Sequence, residues 1–303
     1  MLKDIKKRIA VSKLWNNIFL ITGLLSTLVG LVLLFTLFVD LFIDGVPRLS
    51  YKFFASFPSR FPEQAGILSA WVGTSLVMLV TAAAAIPLGV AAGIYLEEYG
   101  RKNWVTSIIE INITSLAGVP SIIYGLLALG LFVYLFKFGE SILTGGLALA
   151  LLILPMIIMA TREAIRAIPN SIREASYALG ATKWQTVKNH IIPYSMGGIL
   201  TGIIIGLSRA IGETAPIITV GALTFIAFLP VSPFTSEFPF ISFKWLFDPF
   251  TVMPIQMFNW VSRPQAGFQV NAAAAGIVLL IMTLIMNAVA IYIRYKFRKK
   301  IKW

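Results

Sequence analysis

The 303-residue sequence contains no cysteine and a single histidine, His190. Disulfide frameworks, thiolate nucleophiles and cysteine-metal sites are therefore excluded, and no histidine metal cluster can be assembled. Charge is scarce as well: Asp, Glu, Lys and Arg make up 13% of residues, against about 25% in soluble globular domains. Hydrophobic residues reach 58%, more than a soluble fold could hide. No Gly-x-x-x-x-Gly-Lys-Ser/Thr phosphate loop occurs, so ATP hydrolysis by this chain is excluded. The charge present leans one way, to a net +12. Its Lys and Arg residues sit in short runs between long apolar segments, which argues against a nucleic-acid partner and for topology signals.

A bilayer core of about 30 Å needs roughly 20 helical residues. Six apolar runs meet that length, at approximately residues 18–43, 68–96, 115–136, 143–161, 196–228 and 273–293. The first follows Lys3, Lys6, Lys7, Arg8 and Lys13 and precedes no small-residue cleavage pattern. It is longer than a secretory core of about 7–15 residues and predicts a retained signal-anchor helix. The fifth is too long for one straight crossing and contains Gly212 and Pro216, so it is expected to cross and then bend. With both termini cytoplasmic, the inner segments hold 18 Lys and Arg residues, and the outer loops hold six: Arg48, Lys52, Arg60, Lys137, Lys244 and Arg263. That bias agrees with an even number of spans. The expected architecture is an all-α integral membrane protein, one transmembrane domain over residues 1–303 in contact with lipid. Two outer connections, about 44–67 and 229–271, are rich in Pro and aromatic residues, including Trp245 and Trp260. They suit either interfacial anchoring or the docking of an external partner.

The connection between the fourth and fifth spans, residues 162–195, is the most informative. It reads Pro169-Asn-Ser-Ile-Arg-Glu-Ala-Ser-Tyr-Ala-Leu-Gly-Ala-Thr-Lys-Trp-Gln-Thr-Val-Lys-Asn-His-Ile-Ile-Pro193. Ser171 and Glu174 have capping-box spacing, Gly180 stands where a left-handed residue ends a helix, and Thr182 with Gln185 repeats the box. These signals predict a protruding helix–turn–helix whose second short helix runs toward Pro193. Ile172, Ala175, Ser176 and Leu179 fall at i, i+3, i+4 and i+7, one face with small residues at its centre that admits another protein. Packing of the loop on its own membrane domain is the alternative reading.

The fifth span carries Ser208-Arg209-Ala-Ile-Gly-Glu213-Thr214-Ala-Pro216. Ionisable groups inside a bilayer cost about 2.5–3.5 kcal/mol each by insertion scales, so they face a partner or an aqueous path. Arg209 and Glu213 are four apart and can pair on one helix face. On one reading the pair is self-neutralising and structural. On the other, Arg209 offers a donor fork to a tetrahedral oxyanion while Glu213 holds it and limits its affinity, as a conduit requires. Ser208 and Thr214 are the neighbouring polar candidates for such a pathway, and a break at Gly212 and Pro216 is expected to free backbone N–H groups.

These segments resemble a known family. Glu174-Ala175-Ser176-x-x-x-Gly180, followed after nine residues by His190-x-Ile192-Pro193, is similar to the EAA loop of ABC-importer permeases, written EAA, three residues, G, nine residues, I-x-L-P. Ser176, His190 and Ile192 are departures from it. Arg209 to Pro216, Leu116-Ala-Gly-Val-Pro-Ser-Ile-Ile-Tyr-Gly125 and Pro254-Ile-Gln-Met-Phe-Asn-Trp260 resemble, more narrowly, the PstA-type permeases of phosphate-specific transport systems. The likeness runs from the second span to the sixth.

The resemblance implies a type I importer (MetI-like) fold of six transmembrane helices in the inner membrane. It implies a coupling helix, with Glu174, Ala175, Ser176, Leu179, Gly180 and Pro193, seated in a groove of an ATPase subunit. The implied partners are a second, PstC-type permease in a heterodimer, a PstB-type ATPase dimer that binds ATP and magnesium, and an extracytoplasmic PstS-type phosphate-binding protein. This chain then binds no cofactor and catalyses no reaction. Sulfate and molybdate importers share the class and are the alternatives for cargo. An ion-coupled secondary transporter predicts inverted repeats and several intramembrane carboxylates, whereas the sequence offers no visible repeat and only Glu213 deep in a span.

Overall fold

In hydrocarbon every backbone N–H and C=O must be satisfied within the segment, which leaves helices as the form for apolar runs of this length. The computed structural model describes residues 2–101, 103–233, 240 and 242–300. Twelve α-helices are found among the described residues: α1 (Leu2–Gly45), α2 (Tyr51–Ala55), α3 (Leu68–Ile94), α4 (Trp104–Leu116), α5 (Ser121–Ala128), α6 (Ile142–Arg166), α7 (Asn170–Ala178), α8 (Lys183–Thr186), α9 (Ile192–Gly212), α10 (Ala215–Thr219), α11 (Met253–Val261) and α12 (Ala266–Lys300). Wider π turns extend α3 to Tyr99 and α5 to Leu135, and a third joins α8 to α9. Five helices are long and apolar enough to cross a membrane, and α4 with α5 forms a sixth candidate, a pair bent by 107°.

The helices α1, α6 and α12 run beyond the expected ends of their spans, and the larger differences from the sequence expectation fall in the third and fifth spans. The third span is no straight rod over 115–136. It turns a corner at residues 117–120, where Pro120 has no N–H to continue the helix and biases Val119 away from helical geometry. The Tyr124 hydroxyl donates to the Leu116 carbonyl across that corner at 2.6 Å. The apolar segment before the corner is a helix, not a loop, started by Asn103, whose side chain accepts from the Thr106 N–H at 2.9 Å.

The fifth span begins at Lys183 rather than near 196, because the second short helix of the preceding loop is its first stretch. Pro193 lies inside the continuous helix, directly after the π turn Val187–Ile191, which shifts the hydrogen-bond register ahead of the missing N–H. After Gly212 the span breaks as expected, but α10 ends at Thr219 and residues 220–228 are irregular. In the outer connections, Trp245 and Trp260 anchor nothing at an interface. Both are buried, Trp260 completely, with its ring 6.1 Å from Phe53 and 6.4 Å from Phe268. Lys102 and Lys302, counted among the orienting basic residues, and residues 234–239 of the last outer connection lie outside the described residues.

Lipid provides no apolar driving force between helices, so close approach at small residues holds them together. α3 and α6 run parallel, with Gly146 under Val80, Gly89 against Ile157 and Gly93 against Thr161. A methyl group at any of the three would come within 2.5–2.7 Å of its neighbour. α9 runs antiparallel to α6, with Gly198 over Ala164 and Gly206 over Ile157. α12 is antiparallel to α9 and to α1, whose Gly45 meets the Ala273 backbone. These pairings gather the ends of α3, α6 and α12 and the starts of α1 and α9 at the end of the molecule that carries α7. At the other end, the Arg48 guanidinium donates to Asn271 Oδ1 (2.7 Å) and to the carbonyls of Pro62, Glu63 and Ala65 (2.8–3.0 Å). It fastens the first outer connection to α12.

The contact between the two interrupted spans is the tightest test of this arrangement. Gly125 of α5 lies on α10, where an added methyl would stand 2.6 Å from Pro216 Cα and overlap Thr219 Oγ1, whereas Gly130 faces open space. Gly125→Ala is expected to lower the unfolding midpoint of the detergent-solubilised protein, equivalent to about 1–3 kcal/mol of overpacking, and Gly130→Ala to leave it unchanged or raised. Equal midpoints for the two variants would contradict the α5–α10 contact.

Candidate functional site

The break in the fifth span builds the first part of the site. α9 stops at Gly212, Glu213 turns extended (φ −78°, ψ 131°), and Pro216 sits in the first turn of α10. Because Pro216 carries no N–H and α10 has only five residues, fewer backbone donors are freed here than the break alone suggested. Arg209 and Glu213 do pair, through a single contact of Nε to Oε1 at 3.3 Å, with side chains 35% and 21% exposed. The Glu213 carboxylate also borders an apolar pocket between Val77, Leu149 and Ile217, where a lone negative charge would be costly. Arg209 neutralises it with Nε only, so among the described residues both Nη groups are uncommitted.

Ser208 does not join that pair. Its hydroxyl lies 2.7 Å from Asn287 Oδ1 of α12 and 2.8 Å from the Ile204 carbonyl, about 100° around the helix from Arg209. The half-buried Thr214 hydroxyl makes no hydrogen bond among the described residues.

The α7 loop builds the second part. Gly180 adopts φ +81°, with the Gly180 N–H on the Tyr177 carbonyl (2.9 Å) and the Ala181 N–H on that of Ser176 (3.2 Å), the two bonds of a Schellman end. Thr182 and Gln185 form the expected reciprocal capping box. Ser171 and Glu174 do not, because Pro169, preset at φ −57°, starts the helix early and places Ser171 inside it. The expected single face is also split. Ile172 packs on Ile165, Ile168 and Ile191, and Ser176 is buried with its hydroxyl 2.9 Å from that of Thr186. Ser176, a departure from the EAA pattern, thereby acquires a partner in the loop's second helix. Glu174, Ala175 and Leu179 face outward, Leu179 with 90% exposure. His190, the other polar departure, is exposed.

Sequence reasoning missed a cluster of ion pairs at this end. The Arg173 guanidinium donates to Glu98 Oε1 through Nη2 (2.6 Å) and Nε (3.0 Å), and to the Ile168 carbonyl (2.9 Å). Arg166 holds Glu97 with two bonds of 3.2 and 3.0 Å, while Arg162, only 8% exposed, reaches Glu110 of α4 at 2.6 Å. The cluster thus ties α7 and α6 to the extended end of α3 and to α4. Its signal was present as the acidic pair Glu97-Glu98 closing one span and Arg162 and Arg166, four apart, closing another. The arginines count in the sequence as topology signals, and the acidic pair carries no reading there.

Comparison with known proteins agrees with this architecture. The chain is 32% identical over 284 residues to the probable ABC transporter permease protein YqgI of Bacillus subtilis, covering 92% of this chain and 94% of that protein. It is 32% identical over 309 residues to the phosphate transport system permease protein PstA of Yersinia pestis, covering 99% and 96%. Among solved structures, the inward-facing MetNI methionine ABC transporter matches with TM-score 0.53 and 16% identity over 74% of this chain and 91% of its own. That likeness assigns the fold as the MetI-like importer-permease type. Residues 85–303, which begin within α3 and hold α4 to α12 with the α7 loop and the Arg209–Glu213 pair, match the binding-protein-dependent transport system inner membrane component family, and the chain belongs to that family.

Proposed function

We propose that this chain is the membrane-spanning subunit of an ATP-driven phosphate importer and forms half of its translocation pathway. The reading rests on the Arg209 guanidinium, anchored by one Nε contact with its Nη donors uncommitted among the described residues in a one-third exposed side chain. That geometry suits a tetrahedral oxyanion, which accepts paired N–H groups from a planar fork. Two relatives of near-full-length overlap support phosphate as the anion and a permease role, one named a phosphate transport permease and the other a probable ABC permease.

The chain itself is a non-catalytic subunit without a cofactor. A second, related permease completes the pathway as a heterodimer, an extracytoplasmic binding protein delivers phosphate, and a separate ATPase dimer holds ATP and magnesium. Both termini and the α7 loop face the cytoplasm. The ATPase docks on the outward side of α7, at Glu174, Ala175 and Leu179, while Ser176, Gly180 and Pro193 shape the loop from within. A Leu exposed to 90% at the tip of a well-capped helix is the kind of apolar residue a partner groove covers.

Reconstituted with its partner subunits, the complex is expected to take up inorganic phosphate on ATP addition, with sulfate a poor competitor. Transport of sulfate without phosphate would overturn the cargo. Arg209→Gln is expected to reduce uptake at least 100-fold with complex assembly intact, and undiminished uptake would remove Arg209 from the path. For docking, Leu179→Asp should abolish co-purification of the ATPase while the permease pair stays folded. Normal co-purification would place the coupling contact elsewhere.

A further inference from the structure

Among the described arginines of α6, α7, α9 and α12, one lacks the kind of partner the others have. Arg162, Arg166, Arg173 and Arg209 each contact a glutamate. Arg294 of α12 is half-buried, and among the described residues its one contact is Nη1 donating to Thr201 Oγ1 at 2.9 Å. The Thr201 proton is directed to the Gly197 carbonyl (2.8 Å), so the threonine oxygen stands as an acceptor and steadies the guanidinium from one side. Of five guanidinium N–H donors, four stay uncommitted among the described residues. An uncompensated charge held in place by an oriented neutral group is a setting that calls for an anion.

The position of Arg294 in the bundle points the same way. Ser208 with Asn287 and Thr201 with Arg294 form two polar rungs between α9 and α12. Each pair is separated by seven residues on both antiparallel helices, which fixes the height of Arg294. Thr201 and Arg209 are eight residues apart, about 12 Å along α9 and about 80° around it. The strip of α9 between those two directions is open, with Ile205 54% exposed. Arg209 and Arg294 therefore flank one open face, Arg294 nearer the α7 end.

We propose that Arg294, steadied by Thr201, is a second contact for a phosphate-type oxyanion, lying on the α7 side of Arg209. The proposal rests on the reading of the chain as a phosphate permease. Two cationic contacts, offset along α9 as Thr201 is from Arg209 by about 12 Å and each restrained by a neighbour, move an anion along without holding it at either. The same fork would also fit the phosphate of an anionic lipid headgroup, and the two sources separate in the membrane used for the assay.

The complete transporter is reconstituted in vesicles of phosphatidylcholine alone and of phosphatidylcholine with phosphatidylglycerol, and ATP-driven uptake of radiolabelled inorganic phosphate is measured. Arg294→Gln is expected to lower uptake at least fivefold in both membranes, Arg294→Lys to keep at least half, and Thr201→Val to lower it two- to threefold. A defect confined to the phosphatidylglycerol vesicles assigns Arg294 to the headgroup and overturns the transported anion as its ligand. Undiminished uptake by Arg294→Gln, or equal loss in the Lys and Gln variants of a complex that purifies normally, overturns the site altogether. A wild-type complex that carries sulfate and not phosphate defeats the cargo reading instead, and the same variants are then read with sulfate.

Discussion

Backbone that is not helical can lie at membrane depth only where protein or an aqueous cavity covers it, and this chain interrupts two of its spans. In the structure the helices that follow the two interruptions pack on each other. α5, which begins just after the corner at residues 117–120, meets α10, which begins just after the break at Glu213, and Gly125 against Pro216 and Thr219 sets their separation. The Leu116 carbonyl accepts from the Val119 N–H at 3.1 Å and from the Tyr124 hydroxyl at 2.6 Å, which pins the corner from both sides. The two motifs that carry the narrower family resemblance, Leu116–Gly125 and Arg209–Pro216, are therefore the two halves of one contact. The charged pair sits at its edge because the helix must end there.

The cluster at the α7 end follows a different logic. Arg162, 8% exposed, is too buried to be a solvated topology signal, and the carboxylates of Glu97 and Glu110 share its neutralisation. The cluster's more important effect is connectivity. α7 is linked by chain to α6 and through α8 to α9, yet Arg173 joins it to Glu98 at the end of α3. If α7 is the coupling element proposed above, a push on it would reach α3 and, through the parallel contacts at Gly89, Gly93 and Gly146, α6. In the proposed complex, that route carries movement from an ATPase into the helices around the break without requiring α9 to bend.

What was legible in the sequence and what was not divides along sequence distance. Hydropathy located the spans because bilayer thickness imposes a length, but it stopped short at Arg162, whereas α6 runs to Arg166 because carboxylates on α3 and α4 neutralise the arginines. Gly180 and the Thr182–Gln185 box were readable because their chemistry is complete within a few residues. The Ser171–Glu174 box had the right spacing and failed, since Pro169 two residues earlier fixes the helix start. The i, i+4 pair of Arg209 and Glu213 was readable for the same local reason. The contacts of Arg48 with Asn271, Arg162 with Glu110 and Arg294 with Thr201 join separate elements, and no local pattern announces them.

The single Nε contact between Arg209 and Glu213 also bears on how such a site can work. A two-bond fork, like that of Arg166 on Glu97, commits both faces of the carboxylate and two donors of the arginine. An anion would then have to displace the carboxylate before binding. The one-bond geometry at Arg209 keeps the charge neutralised in the absence of cargo and leaves the Nη groups to present. Because Glu213 lies beyond the end of α9, on extended backbone between two short-range helix ends, a small change at the break alters its distance from Arg209 without unwinding either helix. On the proposed reading, anion affinity at Arg209 would follow the conformation of the break itself, which would couple binding to the state of the α5–α10 contact.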